Sequence, residues 1–148
     1  MLTYKQINSE EELTDLSRQE IIDFLHTHLD RFRDTKEAIG KCLDYAFSKN
    51  NGKGGFVLAG YFDGKISGIV VMNRTGMEGY IPENILVYIA VDASLRGKGI
   101  GAQLMKEAIS RSQGDVKLHV EYDNPAKRLY ERIGFTTKYA EMRYVKQK

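Results

Sequence analysis

The chain has 148 residues, 42% of them hydrophobic and 28% charged, which describes one globular domain spanning 1–148 and argues against disorder. Its formal net charge of +2 gives no grip on nucleic acid by itself. The charge is unevenly spread: residues 1–50 hold seven Lys and Arg against ten Asp and Glu, and residues 51–148 hold fifteen against ten.

The opening residues carry no long apolar stretch, so no signal peptide is expected. Tyr4 to Ile7 reads as a first strand. Ser9 and the glutamates after it form a helix-start signature, with acids against the positive end of the dipole. That helix would bury Leu13, Leu16, Ile21, Phe24, Leu25 and Leu29, with a break near Ser17. His26 and His28 look like ordinary helix positions. A second helix, Thr35 to Ser48, stacks Ile39, Cys42, Leu43, Ala46 and Phe47 at helical spacing. Cys42, the single cysteine, reads as core; it excludes an internal disulfide and suits a reducing cytoplasm.

Phe56–Tyr61 and Ile66–Met72 are β-rich runs joined through Asp63-Gly64, a strong hairpin signal. Ile85–Val91 is apolar without alternation, as expected of a central strand covered on both faces, and far short of the ~20 residues that span a bilayer. A helix follows to about Ser112, then a turn at Gln113-Gly114-Asp115 and a strand Val116–Tyr122. Asn124-Pro125 opens another helix, which Gly134 stops. Thr136 to Val145 reads as a last strand. The resulting order is β-α-α-β-β-β-α-β-α-β, a mixed, mostly antiparallel α/β sheet (α+β) with helices on both faces, in which only the unit from 85 to 122 is parallel.

The most informative stretch lies between that central strand and its helix: Arg96-Gly97-Lys98-Gly99-Ile100-Gly101. The first amides of a helix lack intrahelical partners and point outward, and the dipole adds partial positive charge. Three glycines let the backbone approach an anion, and Arg96 and Lys98 add charge. The pattern is that of a phosphate-binding turn.

These residues resemble the pyrophosphate signature of the GCN5-related N-acetyltransferase (GNAT) family. A second family segment is similar to Asn124-Pro125-Ala126-Lys127-Arg128-Leu129-Tyr130, closing on Gly134-Phe135. The resemblance implies an acetyltransferase that moves an acetyl group from acetyl-coenzyme A to a small-molecule or peptide amine, both held at once, without a metal. It implies that the amides of Arg96, Gly97, Lys98, Gly99, Ile100 and Gly101 hold the pyrophosphate. The main chain of Ile89 and Val91 would pair with the pantetheine arm, and a nearby N–H would polarise the acetyl carbonyl. It also implies that the fourth and fifth strands splay at their C-terminal ends. Asn124 would contact the arm as well as cap its helix, and Tyr130 would protonate the leaving sulfur.

The general base is harder to assign. Many relatives place an acid on the fourth strand, but Ile85 to Tyr88 has none. Glu83 just before it, Glu121 and His119 on the neighbouring strand are the candidates, Tyr88 is a residue that could orient a water, and a site with no dedicated base stays open. The resemblance places the acceptor between the first two helices, with Asp30 and Asp34, and the loop Asn73–Pro82, with Met77 and Tyr80. Relatives often end in two strands, and only thirteen residues follow Phe135, so part of the wall is either missing or supplied by a second subunit in a homodimer.

Three other readings compete. A non-catalytic acyl-coenzyme A sensor on the same fold would bind without turnover. A dinucleotide fold would use Gly97, Gly99 and Ala102 with Glu121 some twenty residues on, but needs more strand–helix units than the 46 residues after Ala102 supply. A nucleic-acid module would use the basic half, but no aromatic stacking motif is interleaved with it. Neither nucleic acid nor membrane is expected as a partner.

Overall fold

Hairpin chemistry and apolar runs dictate the sheet. In the computed structural model, which describes residues 1–147, β1 (Leu2–Ile7), β2 (Gly55–Phe62), β3 (Lys65–Arg74), β4 (Asn84–Val91) and β5 (Val116–Leu118) lie in that spatial order. Asp63-Gly64 makes the tight β2–β3 turn with both residues at positive φ. The first three pairings are antiparallel, and β4 pairs with β5 in parallel.

Two helices cover each face. α1 (Arg18–His28) and α2 (Lys36–Ala46) pack with Ile7, Val57, Ala59, Ile69, Val71, Tyr88 and Ala90 on one side. α3 (Ile100–Ser110) and α4 (Ala126–Ile133) pack with Leu58, Val70, Met72 and Leu86 on the other. α3 lies close to the sheet because Gly60 and Gly68 face each other under it. A Cβ on Gly68 would stand 2.7 Å from Leu104 Cδ2 and 3.1 Å from the Ala90 carbonyl. Among the described residues, no helix is long and apolar enough to cross a membrane.

The structure corrects several boundaries. Ser9 begins only a 3-10 turn, Glu10–Glu12. The helix proper starts after Ser17, whose hydroxyl accepts from Glu20 N–H while Glu20 Oε1 accepts from Ser17 N–H, a reciprocal cap worth about 1 kcal/mol. The fifth strand ends at Leu118 rather than Tyr122, so His119 and Glu121 fall in irregular chain. Thr136–Val145 is not a strand: residues 136–147 are irregular and exposed, including Tyr139, Met142, Tyr144 and Val145. A ladder needs an edge to grow on, and three residues of β5 offer little.

Candidate functional site

β4 outruns its neighbour. Its pairing with β5 covers Asn84–Val116, Ile85–Lys117 and Leu86–Leu118 and then stops, while β4 continues to Val91. From Val87 to Val91, the edge of β4 turned away from β3 therefore has no strand partner among the described residues. Unpaired main-chain groups on a strand edge are a template for an extended group.

A β-bulge sits where this open edge begins. Tyr88 lies opposite Val71 and Leu86 opposite Met72, so Val87 is the extra residue. Val87 and Tyr88, though consecutive, both pack toward the α1–α2 core, whereas Leu86 and Ile89 pack toward α3 and α4. A bulge of this kind re-aims the local N–H and C=O groups.

At the end of β4 the chain turns through Asp92 and a short 3-10 turn, Ala93–Leu95, into Arg96-Gly97-Lys98-Gly99. Asp92 accepts from both the N–H (2.9 Å) and the hydroxyl (2.7 Å) of Ser94, and these bonds hold its carboxyl below the usual range. Gly97 and Gly99 have φ of 85° and 77°, and nothing lies within 4 Å of where a Cβ would stand on either. The first helical bond of α3 runs from Gln103 N–H to the Gly99 carbonyl, so the amides of Ile100, Gly101 and Ala102 have no intrahelical partner. The turn is an open, positively polarised cradle that fits a phosphate.

Comparison with known proteins follows the same features. The family model "Acetyltransferase (GNAT) domain" matches residues 53–137, more than half of the chain and all of the turn and α4. The chain belongs to the GNAT acetyltransferase family. Its fold is shared by a transcriptional regulator from Bacillus halodurans C-125, at 18% identity and TM-score 0.72, covering 98% of this chain and 99% of the other. It is also similar to an aminoglycoside acetyltransferase from an uncultured soil metagenomic sample (18% identity, TM-score 0.63, 99% and 95% covered). A ribosomal-protein-alanine N-acetyltransferase from Brucella melitensis biovar Abortus 2308 is comparable (18%, 0.62, 99% and 99%). No curated protein matches by sequence.

Within this GNAT domain the residues singled out in the sequence have distinct surroundings. Tyr130 projects from α4 into the core shared with α3, is 8% exposed, and meets Phe135 edge-on with ring centroids 6.2 Å apart. Burial pushes its phenol up to about 12, so it holds its proton. Asn124 Oδ1 accepts from Ala126 N–H at 2.9 Å, but the helix begins one residue later than the sequence suggests, with Pro125 in the cap position, and the Asn124 amide N–H groups stay available. Gly101 is helical, and a Cβ there would make ordinary 3.5 Å contacts with Leu129 and Val91. Arg96 is already engaged: its Nη2 donates to the His28 carbonyl at 2.6 Å. Lys98 Nζ stands 5.8 Å from the Phe62 ring centroid.

The three candidate bases do not converge. Glu83 stands at the other end of β4, roughly 25 Å of strand from the turn. Its Oε1 accepts from Asp115 N–H at 2.8 Å, and main-chain N–H donors hold its carboxyl below the usual range, which makes it a poorer proton acceptor. His119 and Glu121 are exposed, and neither side chain has a hydrogen bond among the described residues.

Two arrangements escaped the sequence. Tyr88, buried at the bulge, donates its hydroxyl to Asp34 Oδ2 at 2.5 Å, and burial followed by this carboxylate raises the phenol far above its usual range. Asp34 itself is exposed between α1 and α2, so a carboxylate reaches the mid-strand position that β4 leaves without one. His28 is no ordinary helix position: its Nδ1 accepts from Ala93 N–H at 3.1 Å, fastening the glycine-rich turn to the end of α1. Cys42 is half-buried against the α1–α2 core rather than fully inside it, and burial pushes its thiol up to about 12.

Proposed function

We propose that this domain transfers an acetyl group from acetyl-coenzyme A to a primary amine by direct attack, with both substrates held at once. The observation that carries this reading is the open, positively polarised turn beside the unpaired edge of β4. When bound, acetyl-coenzyme A supplies a thioester: a C–N bond to the amine forms and the C–S bond breaks. The amides from Arg96 to Gly101 grip the pyrophosphate, and binding energy from that remote group positions the reacting end. The main chain of Ile89 and Val91 pairs with the pantetheine arm, Asn124 donates to it, and an N–H beside the Val87 bulge donates to the carbonyl oxygen. Tyr130 gives its proton to the departing sulfur. The amine proton leaves toward Asp34, directly or through a water oriented by Tyr88. A single half-buried thiol and no disulfide suit a cytoplasmic setting.

The scattered candidate bases favour one second reading, an acyl-coenzyme A sensor that binds without turnover. A thiol-release assay with acetyl-coenzyme A and an amine panel separates the two. Acceptor-dependent release that disappears in Gly99→Glu, where a carboxylate enters the cradle and φ is forced, is expected. Tight coenzyme A binding with no release from any amine would leave the sensor reading standing instead.

A further inference from the structure

The face of the sheet covered by α1 and α2 holds a cavity of about 330 Å³, within the range of small-ligand sites. It opens under the β3–β4 loop and reaches the bulge, since Val87 forms part of its wall. Its lining divides cleanly by chemistry. Met77 and Ile81 from the loop and Val87 from β4 make an apolar surface. Arg74 and Lys117 bring two cations, and no carboxylate lines the cavity. Neither cation has an ion pair among the described residues, where eleven such bridges occur elsewhere.

The remaining feature is Asn73, which is 9% exposed and also lines the cavity. Its Nδ2 donates to Cys42 Sγ at 3.5 Å, while its Oδ1 is buried with no hydrogen-bond partner in the protein. A buried, unpaired acceptor is costly by itself, and a ligand that donates an N–H removes that cost. The other polar groups of the wall are occupied: Tyr45 donates to the Arg74 carbonyl at 2.6 Å, and Thr75 to the Pro82 carbonyl at 2.8 Å.

We propose that this cavity receives the acceptor amine as an apolar α-amino acid. Its carboxylate lies between Arg74 and Lys117, its side chain packs on Met77, Ile81 and Val87, and one amine N–H donates to Asn73 Oδ1 once that side chain turns toward the cavity. The same charges reject polycations, because each added ammonium meets like charge. The proposal rests on the transfer reading for its role, but binding tests it separately.

Calorimetric binding of L-leucine, L-methionine, L-phenylalanine, L-leucinamide and spermidine, with and without coenzyme A, decides it. At least one of the amino acids is expected to bind, L-leucine at least tenfold more tightly than L-leucinamide, and spermidine not at all. Lys117→Met, which keeps the aliphatic stem, and Arg74→Gln should each bring leucine and leucinamide toward parity. Equal affinity for leucine and its amide in the wild type, or spermidine binding in preference to all three amino acids, would overturn it. Thiol release with spermidine and no amino-acid binding would remove this assignment while leaving the transferase reading intact. Carboxylate-dependent binding with no thiol release would keep the site and remove the transferase reading.

Discussion

In the proposed mechanism Tyr130 joins stability to chemistry at a single residue. With its phenol near 12, it keeps its proton through pH 10, where a solvated tyrosine would have lost half of its own. Tyr130→Phe should therefore slow thiol release about a hundredfold, the order expected for loss of a general acid, with little change in coenzyme A affinity. Its folded value lies above the unfolded value of 10, so its share of stability is intact below pH 10 and lost as pH rises through 12. Two pKa units correspond to about 3 kcal/mol. Denaturant unfolding between pH 10 and 12 should thus show a steeper loss in wild type than in Tyr130→Phe; parallel losses would contradict the burial assigned to it. Tyr130 was legible in the sequence because its neighbours at helical spacing and the asparagine before them identify it locally. Asp34 and His28 were not, because their partners, Tyr88 and Ala93, stand 54 and 65 residues away and meet them only when the sheet closes.

At the scale of the element, β4 and α3 set the site, and two glycines separate packing from binding. Gly68→Ala pushes a methyl into Leu104 and the Ala90 carbonyl at the center of a filled core, and should cost about 1–3 kcal/mol. Gly101→Ala meets only ordinary contacts and gains up to about 1 kcal/mol of helix propensity, so its thermal midpoint should equal or exceed wild type. A midpoint lowered by Gly101→Ala and untouched by Gly68→Ala would reverse the packing described for α3. The hairpin, the central strand and the glycine-rich turn could be read because Asp63-Gly64, the apolar run and the alternating glycines are local signals. The bulge could not: Ile85 to Val91 carries no charged residue and no alternation to mark which face each position takes. The tail failed for the opposite reason, since Thr136–Val145 has strand-like composition but no adequate edge beside it.

Across the whole molecule, the turn that fits a phosphate and the C-terminal end of α1 are fastened together. The links are His28 to Ala93 N–H, and Arg96 to the His28 carbonyl, where its charge also suits the C-terminal end of α1. Removing one such hydrogen bond costs about 1 kcal/mol, or roughly fivefold in affinity. His28→Ala should weaken coenzyme A binding by about that factor, although the residue lies outside the cradle itself. Anything that stiffens the turn is then felt by the α1–α2 loop, where Asp34 waits. Under the proposed transfer reaction, any gain in affinity that one substrate brings to the other is the same in either direction, as a closed thermodynamic cycle demands. Titrations should accordingly show coenzyme A and amine each tightening the binding of the other in wild type, and in His28→Ala that mutual effect should shrink toward none.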